Sequence, residues 1–245
     1  MIEIYKSAWQ HFRRNSGTML GLAAMLYLLD IAKAKWDLSA GATIVPQLLV
    51  VMFLHQMVLY GEKLNMIGKP SRKLQIGPFL WASFVIMIFA GLATVLFLVL
   101  SGLSQQQMLR AWIIVFLVFY YIFMVLLGTS LPAAVASDRY NPKISLIRAK
   151  STWAAIAGGF IVGPVATGAI LLAAVVILLN TFGASLAAFP KLGGINIFGL
   201  LVDFTWSVTG IFISLLGVVV LCRAYLRVAP PEILAELELA KQTEA

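Results

Sequence analysis

Six apolar runs of about 20 residues or more set the limits on what this chain can fold into. They lie between Arg14 and Lys33, between Asp37 and Glu62, over 79–100 and 111–135 on either side of Arg110, and over 160–182 and 197–222. A spanning helix needs roughly 17–25 mostly apolar residues, so each run is long enough to cross a bilayer. Barrel strands do not fit, because they alternate in character over ~10 residues and these runs do not alternate. Composition agrees: 61% of the residues are hydrophobic and 11% charged, against about 45–50% and 25% in a soluble domain. One core of a 245-residue chain cannot hide that excess, so lipid is the expected solvent for most of it.

The net charge of +8 does not point to nucleic acid, because the cations fall between the apolar runs rather than on one patch. They fit membrane topology instead. Connections from odd to even spans hold Lys33, Lys35, Arg110 and Lys191. The other fourteen of the 18 lie in the two termini and the even-to-odd connections, including Arg13, Arg14, Lys63, Arg72, Lys143 and Arg227. By the positive-inside rule both termini are cytoplasmic. A cleavable leader is the alternative for the first run, with "AKA" at 32–34 as its cleavage site, but Asp30, Lys33 and Lys35 crowd that site. The expected fold is an all-α integral membrane protein with six transmembrane helices and two cytoplasmic interfacial amphipathic helices. Residues 1–14 form the first interfacial helix and 15–225 the six-span domain, with the second amphipathic helix at 143–156. Residues 226–245 form a cytoplasmic tail, in which Pro231 followed by Glu232 reads equally as a short helix start or as a solvated end.

Few polar groups fall within the runs. Between Asp203 and Arg223 lie nineteen uncharged residues, which cover ~29 Å, the whole hydrocarbon thickness. Asp203 therefore reads first as the outer edge of the sixth span, and second as a buried relay. Asp30, Arg110 and Lys191 sit at the same level, so an outer-interface charge cluster of Asp30, Arg110, Lys191 and Asp203 is expected. His55 is the ionisable residue clearly inside a span, and Gln47, His55 and Gln56 make the second span a candidate intramembrane polar site. Gln47 and Gln56 are about 900° apart around a helix and so point to opposite faces. That favours hydrogen-bonded glue between helices over a water-filled path.

Cys222 is the single cysteine, and no metal-binding, nucleophile-elbow or phosphate-loop motif is present. No cofactor, metal or catalytic residue is expected, and the chain reads as a non-enzyme.

One pattern recurs. "IEIYKSAWQHFRRN" at 2–15 and "LIRAKSTWAAIAGG" at 146–159 align without gaps. Ile2, Tyr5, Trp9 and Phe12 match Leu146, Ala149, Trp153 and Ile156 at spacings that form one helical stripe. Each segment leads into a span that opens with GxxxG, Gly17 with Gly21 and Gly159 with Gly163, which permits close helix packing. Lys6, Trp9, Arg13, Arg14, Lys150 and Trp153 are then the expected lipid-interface residues, with Lys143 and Arg148 also facing anionic headgroups. Duplication stays open as an origin but is not shown, since the first three and last three spans would be inverted.

The leader "YKSAWQHFRRN" and the segment "LPAAVASDRYNPKISLIRAKSTW" resemble the YciC-like group of six-span bacterial inner-membrane proteins. That group is related to the membrane domain attached to some glycerophosphodiester phosphodiesterases. The shared features are the aromatic-basic leader ending in Arg14-Asn15, Pro132 closing span four, Asp138, and Lys150-Ser151 before span five. The resemblance covers most of the chain as a layout, but this chain lacks a phosphodiesterase domain and its loops are short. It implies an inner-membrane protein tied to envelope or lipid homeostasis, and no catalytic residues carry over.

The expected function is a non-enzymatic scaffold, assembly factor or accessory subunit acting through helix and lipid contacts. The alternative is a small-solute or lipid transporter using the polar second span. Expected partners are a bilayer with anionic headgroups and either a membrane-protein partner or a second copy of the chain, with no nucleic acid.

Overall fold

A computed structural model describes residues 2–36, 41–61, 75–138, 140–187, 191–192 and 195–243. Apart from one two-residue antiparallel ladder, in which Lys191 pairs with Asn196 and Leu192 with Ile195, its regular structure is helical. The helices are α1 (Ile2–Arg14), α2 (Ser16–Trp36), α3 (Gly41–Tyr60), α4 (Ile76–Leu100) and α5 (Gln105–Leu127). They continue with α6 (Ser130–Val135), α7 (Pro142–Phe160), a π-turn (Ile161–Val165), α8 (Ala166–Ala187), α9 (Ile197–Leu226) and α10 (Pro231–Thr243). Among the described residues, six stretches are long and apolar enough to cross a membrane: Ser16–Lys33, Thr43–Tyr60, Ile76–Leu100, Gln105–Leu127, Pro142–Ile177 and Val202–Leu226. This is the layout of a polytopic membrane protein.

The chain divides into two compact units. The first holds the described residues of Met1–Met57 and Gly158–Val220, the second those of Val58–Glu62, Pro70–Ala157 and Leu221–Ala245.

In the first unit, α1 is a separate helix broken from α2 at Asn15, whose side-chain amide donates to the His11 carbonyl at 3.1 Å. Met19, Leu22, Met52, Leu54, Leu215 and Leu216 are fully buried. The end of α7 and the π-turn meet α9 through glycines. A Cβ at Gly159 would lie 2.8 Å from a methyl of Val220, and one at Gly217 3.6 Å from the Phe160 ring. Gly159 is thus tightly packed, and Gly163, whose Cβ would lie 3.7 Å from Leu216, is in ordinary contact with α9. At Gly17 and Gly21 a Cβ would meet nothing within 4 Å among the described residues, so the first GxxxG does not form the matching contact.

In the second unit, α4 and α5 form a helical hairpin. Gly102 takes φ +65 in the turn, and Ser104 caps α5 in a box with Gln107. That cap starts the helix at Gln105, so Arg110 lies inside α5 and not in the connection assigned to it from charge counting. α4 buries Phe79, Ala82, Ile86, Ala90, Thr94 and Leu98 at helical spacing. Its other side exposes Trp81, Phe84, Ile88, Leu92 and Val99, an apolar face of the kind that lipid or another apolar protein surface covers.

The fourth run does not continue to residue 135 as one helix. α5 stops at Gly128, where a Cβ would come within 2.7 Å of Leu221, and the chain re-forms as the wholly buried α6. Pro132 therefore sits within α6, and Gly128 closes the span. α10 begins with Pro231 and buries Leu237 and Ala240, which selects the helical reading of the tail.

Candidate functional site

Two sets of side chains stand out, one in each unit.

The first is a groove of about 620 Å³ lined by Tyr5, Trp9 and Phe12 from α1, Thr167, Ile170 and Leu171 from α8, and Val208, Thr209 and Phe212 from α9. Its shape begins with Pro164, which has no N–H to give the helical ladder, and the backbone widens there into the π-turn. The Tyr5 hydroxyl donates to the Val162 carbonyl at 2.6 Å. It also lies 2.9 Å from Thr167 Oγ1. A phenol has one proton, so the threonine is the donor in that second contact. Tyr5 thereby ties α1 to irregular backbone, the kind of satisfaction a proline in a membrane helix requires. One wall is an aromatic trio: Trp9 stacks on Phe12 at 6.0 Å, and Phe212 meets both rings edge-on, at 6.5 Å from Trp9 and 5.8 Å from Phe12.

The second set is a buried ion pair. Just past the end of α6, Ser137 takes φ 58, and the Asp138 N–H reaches back to the Ala133 carbonyl at 2.9 Å. This left-handed helix stop turns the Asp138 side chain inward. Asn141 then caps α7 by accepting from the Ile144 N–H at 2.9 Å. On the buried face of α7, Arg148 donates to Asp138 Oδ2 at 2.6 Å, with the two side chains only 8% and 7% exposed. The Tyr225 hydroxyl donates to the same oxygen at 2.9 Å, and its ring lies 5.3 Å from the guanidinium carbon. A carboxylate, a guanidinium and a phenol thus close on one another.

Arg148 was expected to face lipid, and here the structure differs. The buried stripe of α7 is Ser145, Arg148, Ala149, Thr152 and Ile156, while Leu146 and Trp153 are exposed. Arg148 lies on the inner stripe, and a buried guanidinium requires the carboxylate it finds there. α7 also runs through the π-turn into α8 without a break such as the one at Asn15, so residues 143–156 are the start of a long helix.

The other expected residues fall as follows. Lys6, Arg13, Arg14 and Lys150 are exposed. Trp9 is 56% and Trp153 57% exposed. In the second span His55 and Gln56 are buried and Gln47 is exposed, so the three do not converge. His55 Nδ1 donates to the Val51 carbonyl of its own helix at 2.9 Å. Asp30, Arg110 and Asp203 are exposed, and Lys191's side chain lies outside the described residues. Among the described residues neither Asp30 nor Asp203 forms an ion pair.

Neither composition nor spacing singles out Tyr225 or Thr167. Asp138 entered only through the resemblance. The polar spacing Ser145–Arg148–Thr152, repeating every three to four residues, was a usable signal for a buried polar stripe. No protein-family model matches the chain, and neither a curated protein nor a solved structure was found to match it.

Proposed function

We propose that this is a non-enzymatic protein of the inner membrane, similar to the YciC-like group, working through helix and lipid contacts as a scaffold, assembly factor or accessory subunit. Both termini are cytoplasmic in this reading, and α1 lies on the inner leaflet with Lys6, Arg13 and Arg14 toward anionic headgroups. The start of α7 meets the same leaflet through Trp153 and Lys150. The supporting observation is where the buried polar groups are directed. Asp138, Arg148 and Tyr225 bind one another, and His55 Nδ1 binds its own helix. The first set joins α7 to α9 through Asp138, the His55 bond is spent within α3, and the broad apolar faces are left outward.

The transporter alternative divides. Its solute form loses support because Gln47 is exposed while His55 and Gln56 are buried. Its lipid form gains support from the aromatic groove.

Purification of the full chain in mild detergent, together with flux measurements in proteoliposomes, tests the proposal. A stoichiometric membrane partner or second copy, without solute flux above empty vesicles, is the expected result. A flux whose pH midpoint disappears in His55→Asn would replace it with the transporter reading.

A further inference from the structure

We infer that the groove between α1, α8 and α9 holds one acyl chain of an anionic phospholipid, whose headgroup is taken by Lys6 and Arg13. The inference rests on the membrane reading above and adds a specific site to it. At about 620 Å³ the groove falls within the ~300–1,000 Å³ of ordinary ligand sites. Its α1 wall, from Tyr5 to Phe12, is ~10 Å long. The lining is aromatic and aliphatic apart from Thr167 and Thr209, and Thr167 already donates to Tyr5. Such a lining suits a methylene chain. The wall is also fixed in place, because Tyr5 is bonded to the π-turn and Trp9, Phe12 and Phe212 brace one another.

Charge decides which lipid. Around α1, Lys6 and Arg13 stand about 60° and 40° from Trp9, both on the side away from Tyr5 and Phe12. Arg14 stands about 140° away, on the far face. Lys6 and Arg13 do not line the groove but are exposed, and their angles set two cations beside its α1 wall. Moving a tail from bilayer into an apolar groove gains little, since lipid tails are as apolar as the lining. Preference for one lipid over another must therefore come from the headgroup, and two cations select a negative one.

The test uses the full chain in phosphatidylcholine vesicles, with the tryptophans at 36, 81, 112, 153 and 206 changed to Phe so that Trp9 alone reports. Phosphatidylglycerol or phosphatidylcholine carrying brominated acyl chains is the quencher. Brominated phosphatidylglycerol should quench Trp9 at a much lower mole fraction than brominated phosphatidylcholine. Lys6→Gln and Arg13→Gln should each reduce that preference about fivefold. Thr209→Phe, which fills the groove, should weaken quenching by both lipids. Native mass spectrometry of the unaltered chain, offered equal amounts of the two lipids, should show one phosphatidylglycerol retained. Equal quenching by the two lipids would reduce the groove to ordinary boundary lipid, and a preference that survives both glutamine changes would overturn the assignment of the headgroup to Lys6 and Arg13. A Trp9 shielded from both quenchers would mean that protein fills the groove, and would overturn the inference. A chain that fails to float with vesicles would overturn the membrane reading itself, which flotation detects separately.

Discussion

Removing Arg148 should damage this protein more than removing any exposed cation. Arg148→Met keeps most of the side-chain length but leaves the Asp138 carboxylate, 7% exposed, with the Tyr225 hydroxyl as the remaining donor among the bonds described to that oxygen. A buried charge deprived of its partner costs ~3–5 kcal/mol, whereas exposed pairs contribute ~0–1. The pair here is buried on both sides and meets at 2.6 Å, so the larger figure applies. Tyr225→Phe removes one hydrogen bond to a charged acceptor and should cost ~1.5–3 kcal/mol. Asp138→Leu combined with Arg148→Met removes both charges, so the double variant should cost clearly less than the sum of its singles. Unfolding in mixed micelles by increasing mole fraction of dodecyl sulfate, followed by helical circular dichroism, gives the free-energy differences. A cost below ~1 kcal/mol for Arg148→Met, or strict additivity in the double variant, would refute the reading of Asp138 and Arg148 as a mutually dependent buried pair.

Three further outcomes are expected. Gly159→Val should destabilise by ~1–3 kcal/mol in the same assay, because its Cβ would meet Val220 at 2.8 Å; Gly21→Ala, in open space, should be neutral or slightly stabilising. Equal effects at the two sites would contradict the assignment of the second GxxxG as the packed one. His55→Asn should cost no more than about 0.6–2 kcal/mol, the range for a hydrogen bond within a membrane bundle. A cytoplasm-only reporter fused after Arg72 and after Ala245 should give signal, and one inserted at Gly102 none, since the lysine and arginine bias puts the α4–α5 turn outside.

The six spans were legible because lipid as a solvent imposes a length and an apolar composition that no other fold requires. Their edges were less legible where a local device acts. Ser104 and Gln107 form a capping box that draws α5 back to Gln105, and the sequence carries it as S-x-x-Q. At the end of the same helix Gly128 leaves room for Leu221, which approaches from nearly a hundred residues further along the chain, and nothing within the run announces that contact.

Arg148 shows the deeper reason why the sites were harder to read than the spans. Counting cations by loop treats each one as a surface charge, which suits Lys6, Arg13, Arg14 and Lys150, all exposed. The same count cannot see that Arg148 lies on the stripe of Ser145, Ala149, Thr152 and Ile156 and so turns inward. Once it is inward, desolvation demands a carboxylate. Asp138 is at hand only because Ser137 takes a left-handed conformation that glycine ordinarily supplies. Tyr225 completes the cluster from α9. Such a cluster depends on helix phase, a turn and a distant helix together, and each is a weak signal alone. The groove has the same origin: Tyr5 and Thr167 become partners through a π-turn at Pro164 that shifts the register of everything after it. Periodicity read along the chain assumes an unbroken ladder, so it fails at the places where a membrane helix departs from one. Those departures are tolerated where other side chains satisfy the displaced backbone, and side chains gathered for that purpose also shape the cavity beside them.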